Sequence, residues 1–175
     1  MLDRDRAALV VVDVQEAFRP AVVDFERTAE QVGILIDGAR TLGVPVIVTE
    51  QYPKGLGRTA PEVAAHLDGV EPLEKVCFSA ARSDGFDLEG REQVLLCGIE
   101  SHVCVSQTAH DLLDRGLEVH VARDAVSSRS EENRELGIHK MEQAGTVVTS
   151  VETALFELVG AAGTPEFKSV QELIR

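Results

Sequence analysis

Three residues in this sequence have types and surroundings that suit nucleophilic chemistry: Cys104, Asp13 and Lys75. Cys104 lies in GIESHVCVSQTAHDLL, just past the apolar run at 94–97 and near the expected start of a helix. A helix N-terminus stabilises a thiolate and lowers a thiol pKa, so the position fits a nucleophile; the other reading is a thiol that only packs. Asp13 directly follows AALVVV, where a carboxylate is poorly solvated and needs a partner. It reads as a helix cap or structural ion pair, or as a general base with a raised pKa. Lys75 precedes VCF and is either a solvated edge residue or a cation that neutralises a buried carboxylate and holds a thiolate.

Other reactive types carry weaker signals. Cys97 sits inside an apolar strand pattern, and Cys77 lies between Val76 and Phe78, so both read as packing residues. Three cysteines with no C-x-x-C pair make no disulfide framework and imply free thiols in a reducing cytosol. His66, His102, His110, His120 and His139 show no metal-ligand spacing. His102 is too close to Cys104 around a strand-to-helix turn to aim at it readily. There is no phosphate-binding loop, and GLG at 55–57 lacks the strand–turn–helix frame of a dinucleotide fingerprint. DAVSSRS at 124–130 reads as a strand end, a turn and a helix cap.

The elements that must position these residues follow from periodicity. Short Val-rich runs at 7–12, 44–49, 94–97, 117–122 and 146–149 have the form of buried parallel strands, with 75–79 a weaker sixth. Helical patterns fall at 25–42, 58–67, 102–115, 130–143, 153–159 and 167–175, several closed by glycine. The alternation predicts one α/β domain over 1–175, a three-layer α/β/α Rossmann-like fold on a mostly parallel six-stranded sheet. Ligands in such sheets gather at the C-terminal ends of the strands. Asp13, Glu50, Gln51, Glu100, Ser101, Cys104 and Asp124 are therefore expected on one rim.

Composition narrows the function. The net charge of −13 repels phosphate backbones and anionic lipid, which argues against nucleic-acid and membrane-surface partners. No stretch has the length of a membrane span, and the N-terminus lacks the form of a signal peptide.

In order and spacing, VVDVQEAF, TEQYPKGLG, EKVCFSA, LLCGIESHVCV and DAVSSRS resemble the isochorismatase-like cysteine hydrolase superfamily, and more narrowly the isochorismatase domain-containing proteins. The resemblance covers nearly the whole chain. It implies a catalytic triad of Asp13, Lys75 and Cys104. It also implies a cis peptide between Ile99 and Glu100, which aims the N–H groups of Glu100 and Cys104 at one oxygen as an oxyanion hole. The implied reaction is hydrolysis of a small carbonyl compound through a Cys104 thioester. Phe18, Gln51, Tyr52, Phe78 and Ser101 are the expected pocket residues. Nicotinamidases of this superfamily hold a metal with histidines near the second-strand loop; TEQYPKGLG has none, so neither metal nor cofactor is expected. True isochorismatases cleave a vinyl ether, whereas a cysteine favours acyl transfer. Relatives are commonly oligomers, so a homo-oligomer is expected. The competing reading is a binding or scaffold protein that keeps the fold with little turnover.

Overall fold

The computed structural model describes all residues, Met1–Arg175. Six strands, β1 (Ala7–Val12), β2 (Val46–Gln51), β3 (Leu73–Lys75), β4 (Gln93–Ile99), β5 (Glu118–Ser127) and β6 (Val147–Thr149), form one sheet in the order β3-β2-β1-β4-β5-β6. Every pairing is parallel. Seven α-helices accompany it: α1 (Phe25–Thr41), α2 (Pro53–Leu56), α3 (Pro61–Ala64), α4 (Ser106–Asp114), α5 (Glu131–Gln143), α6 (Val151–Val159) and α7 (Pro165–Leu173).

Both faces of the sheet are covered, which explains the unbroken apolar runs. Along β1, Ala7, Leu9 and Val11 face a core shared with α1, α6 and α7, while Val10 and Val12 face one shared with α4 and α5. Alternate side chains therefore enter opposite cores, and every residue of the strand is buried. β4 behaves alike and points Cys97 into the first core, as the packing reading required. Gly98 permits the close approach of β4 to β1: a Cβ there would stand 2.1 Å from the carbonyl oxygen of Val12.

Several boundaries differ from the sequence reading. β3 is Leu73–Lys75, so the chain leaves the sheet after Lys75 instead of continuing to residue 79. Only Pro61–Ala64 is helical within 58–67. The helix expected from 102 opens with a π-helical turn, Ser101–Val105, before α4 begins. β5 runs on to Ser127 because it bulges between Val121 and Val126, where the register against β4 shifts. Asp124 lies in that bulge, not at the strand end. Its Oδ1 accepts from the N–H of Val151 at 2.9 Å, so it serves the start of α6 and leaves the rim.

β1 and β4 are neighbours at the centre of the sheet, and their following helices pack on opposite faces. The crevice at such a switch point is where doubly wound sheets bind ligands. Asp13 ends β1 and Cys104 follows β4, so both stand there.

Candidate active site

Asp13 leaves β1 with φ 52°, and its N–H donates to the carbonyl of Thr49 at 3.1 Å. Its carboxylate is fully buried. Oδ1 accepts from Thr49 Oγ1 and Oδ2 from Lys75 Nζ, both at 2.7 Å. Burial pushes this carboxyl up, and the adjacent Lys75 charge pulls it down; the balance lies above the ordinary aspartate value.

Lys75 is equally buried. Its Nζ donates to Asp13 Oδ2 and Gln51 Oε1, each at 2.7 Å, and to the carbonyls of Cys77 and Phe78 at 3.1 and 2.9 Å. Four oxygens therefore surround a group with three N–H donors. The cage directs the Lys75 donors at Asp13 and at the loop that follows β3. The same contacts turn residues 76–78 out of the sheet, which is why β3 stops where it does.

Cys104 occupies the π-helical turn, 7% exposed, and its carbonyl accepts from Thr108 Oγ1 at 2.7 Å. The thiol is pushed up to about 12, first by burial and then by the negative charge of Asp13, with Lys75 acting the other way. The expectation that a helix N-terminus would lower it does not hold. Desolvation and the neighbouring Asp13 carboxylate are the largest influences on it.

Glu100 opens the turn. The peptide bond from Ile99 to Glu100 is cis, and the Glu100 carbonyl accepts from the N–H groups of Val103 and Val105 at 3.0 and 3.2 Å. Its carboxylate is bound by Arg129, whose hydrogen bonds hold it below the ordinary glutamate value.

The expected pocket residues separate. Tyr52 is half exposed and lines a cavity of about 350 Å³ beside β3, with Lys54, Val76, Cys77 and Arg82 among its other walls. This cavity reaches Lys75 but is not lined by Asp13 or Cys104. Phe78 is half exposed and is not part of the cavity lining. Cys77, read as a packing residue, is only partly buried and belongs to the cavity wall. Phe18 packs against the α1-side core. Ser101 is fully buried, with Oγ bonded to Ser128 Oγ at 2.7 Å and to the carbonyl of Arg134 at 3.1 Å. His102 turns its Nδ1 to Ser128 Oγ at 3.0 Å.

Gln51 is a strut more than a wall: its Oε1 accepts from Lys75, and its Nε2 donates to the carbonyl of Val76 at 2.9 Å. Its partner is Gln15, whose role the sequence reading does not anticipate. Gln15 is fully buried; its Oε1 accepts from the N–H of Gln51 at 2.7 Å, and its Nε2 donates to the carbonyls of Gln51 and Gly57. Glu50, also buried, binds Thr59 and Arg58. Together they pin the TEQYPKGLG loop to the ends of β1 and β2. A polar residue three places past a fully apolar strand is the signal available for Gln15. No group of three or more His, Cys, Asp or Glu side chains is arranged to hold a metal ion.

A doubly wound sheet with a thiol, a buried carboxylate and a buried ammonium at its switch point defines a class, and comparison with known proteins gives the family. The isochorismatase domain matches residues 7–153, and the chain belongs to that family of hydrolase-like proteins. It is 42% identical to isochorismatase domain-containing protein 2A of Mus musculus over 174 residues, 98% of this chain and 84% of that one. It is also 42% identical to the secreted isochorismatase effector Isc1 of Phytophthora sojae, covering 97% of this chain and 84% of that protein. The structure described as MAR1 ribonuclease from Caenorhabditis elegans superposes with a TM-score of 0.91 at 44% identity, over 99% of this chain and 91% of that one. No helix is long and apolar enough to cross a membrane.

Proposed function

We propose that this protein is a cysteine hydrolase of small, amide-like carbonyl compounds, working through a thioester on Cys104. The observation that carries the proposal is the fully buried Asp13–Lys75 pair, whose charge acts on the Cys104 thiol. A raised carboxyl beside a raised thiol is the pairing a general base needs. In this reading the Cys104 proton passes to Asp13 as sulfur attacks the carbonyl carbon. The oxyanion rests on the N–H groups of Glu100 and Cys104; the first N–H groups of a helical turn have no partner within it. Protonated Asp13 returns the proton to the leaving nitrogen, and the C–N bond breaks to leave the thioester. Water then gives a proton to Asp13 and attacks the thioester, releasing the acid and restoring the thiol. Lys75 stays an ammonium throughout and holds Asp13 in place. The three groups interact, so their titration belongs to the set.

A screen of small amides and esters with mass analysis of intact protein tests this reading. Acyl mass on Cys104, absent in Cys104→Ala, supports it; binding without turnover favours the scaffold reading, which the nearly closed thiol suits. The nematode structure is described as a ribonuclease, but the net charge of −13 opposes a polyanionic substrate here. The half-exposed Tyr52 and Phe78 and the exposed Val76 beside the open edge of β3 support self-association, to be checked by solution mass. Free thiols support a cytoplasmic setting, although one relative is named a secreted effector; cell fractionation decides it.

A further inference from the structure

The DAVSSRS segment does more than end a strand. Ser130 caps α5, accepting from the N–H of Asn133. The residue before it turns the other way. Arg129 Nε and Nη2 donate to Glu100 Oε1 and Oε2 at 3.0 and 2.8 Å, and the Arg129 backbone N–H donates to Oε1 at 3.0 Å. The arginine side chain is 63% exposed while the carboxylate is 7% exposed. A surface residue thus directs three donors onto one buried carboxylate, and the planar fork fixes its orientation in a way a lysine cannot.

That carboxylate belongs to the residue that opens the Cys104 turn. The same β5–α5 connection holds the rest of the turn: Ser128 bonds Ser101 and His102. Gly137 of α5 lies so close that a Cβ would stand 2.6 Å from the backbone of Ser101 and His102. Arg129 adds the charge to this support, because the Glu100 carboxylate is one of the groups acting on the thiol.

Resting on the thioester reading above, we propose that Arg129 is a positioning residue for acyl transfer at Cys104. It fixes the peptide whose N–H receives the oxyanion, and it cancels the charge of a carboxylate that otherwise repels that oxyanion.

Two probes of Cys104 separate this role from a merely structural one. With p-nitrophenyl acetate, an S–C bond forms, p-nitrophenolate leaves with its electron pair, and the thiol proton goes to Asp13; a tetrahedral oxyanion lies on the path. With iodoacetamide, an S–C bond forms and iodide leaves, and no oxyanion arises. Both consume the same thiol, so the ratio of their rates, resolved at Cys104 by peptide mass mapping, cancels changes in thiol activation. Removing one oxyanion donor slows turnover by ~10²–10³, so a donor left out of place in Arg129→Ala should lower the ratio by about tenfold or more. Arg129→Lys keeps the charge without the fork and should fall between Arg129→Ala and the parent protein; it also serves if Arg129→Ala folds poorly. Equal slowing by both probes, or an unchanged ratio in both variants, overturns the role of Arg129 while leaving the thioester reading intact. Absence of acetyl-Cys104 in the parent protein overturns both.

Discussion

Lys75–Asp13 and Arg129–Glu100 are bonded at 2.7 and 2.8 Å, yet their carboxylates are shifted in opposite directions. In the first pair both side chains are fully buried, desolvation is the largest influence, and Asp13 lies above its ordinary value. In the second the arginine reaches in from solvent, its hydrogen bonds are the largest influence, and Glu100 lies below its ordinary value. The chemistry of the partners is similar; the extent of burial decides the sign. Asp13 thereby lies above and Glu100 below the ordinary carboxylate value, and Glu100 is anchored by three donors of Arg129.

The contrast can be broken most strongly at Lys75. Lys75→Met leaves Asp13 buried without its cation, and removing one partner of a buried pair costs about 3–5 kcal/mol. Urea unfolding should show this loss, and Asp13→Asn combined with Lys75→Met should recover most of it. If the single variant is as stable as the parent, the buried pair does not constrain the fold. Asp13→Asn alone should slow acyl transfer to Cys104 by ~10²–10⁴, the range of a general base. An unchanged acylation rate would assign the proton to another group.

Gly137→Ala should cost about 1–3 kcal/mol, because the new Cβ meets the backbone of the Cys104 turn and overpacks it. Glu100→Gln should have the smallest effect, about 1 kcal/mol, since its partner is solvent-exposed. Its pH dependence sharpens the comparison. A carboxyl lowered in the fold contributes stability that is present above the ordinary value of 4.5 and lost as pH falls through the folded value. The gap between parent and Glu100→Gln should therefore close on acidification below 4.5. Asp13, raised above 3.8, contributes with the opposite sign: stability present below 3.8 is lost as pH rises through its folded value. A gap that widened on acidification would refute the assignment for Glu100.

Much of the scaffold was legible before any coordinates. β1 coincides with the run at 7–12 because a strand buried on both faces has no polar position to blur its ends. β3 was misjudged at its far end, where its limit is set by the carbonyls of Cys77 and Phe78 turning to Lys75, a contact across the loop. β5 was cut short because Arg123 and Asp124 look like a strand end, whereas a bulge carries the chain past them. Of the candidate site, Asp13, Lys75 and Cys104 stand out as candidates from residue type and place, each with a structural alternative that the sequence leaves open. Thr49 and Gln15 do not, since an ordinary threonine and glutamine acquire their roles only by facing a buried carboxylate and a loop.

The sequence by itself determined the layered sheet, the family and three candidate site residues, because hydrophobic periodicity and ordered motifs are local properties of the chain. Only the tertiary structure decided their surroundings and support. It caged Lys75 in oxygens, raised both Asp13 and the Cys104 thiol, and sent Arg129 back to Glu100. Burial and charge proximity act through space between residues far apart in the chain, and they decide what a carboxylate or a thiol at a given position can do.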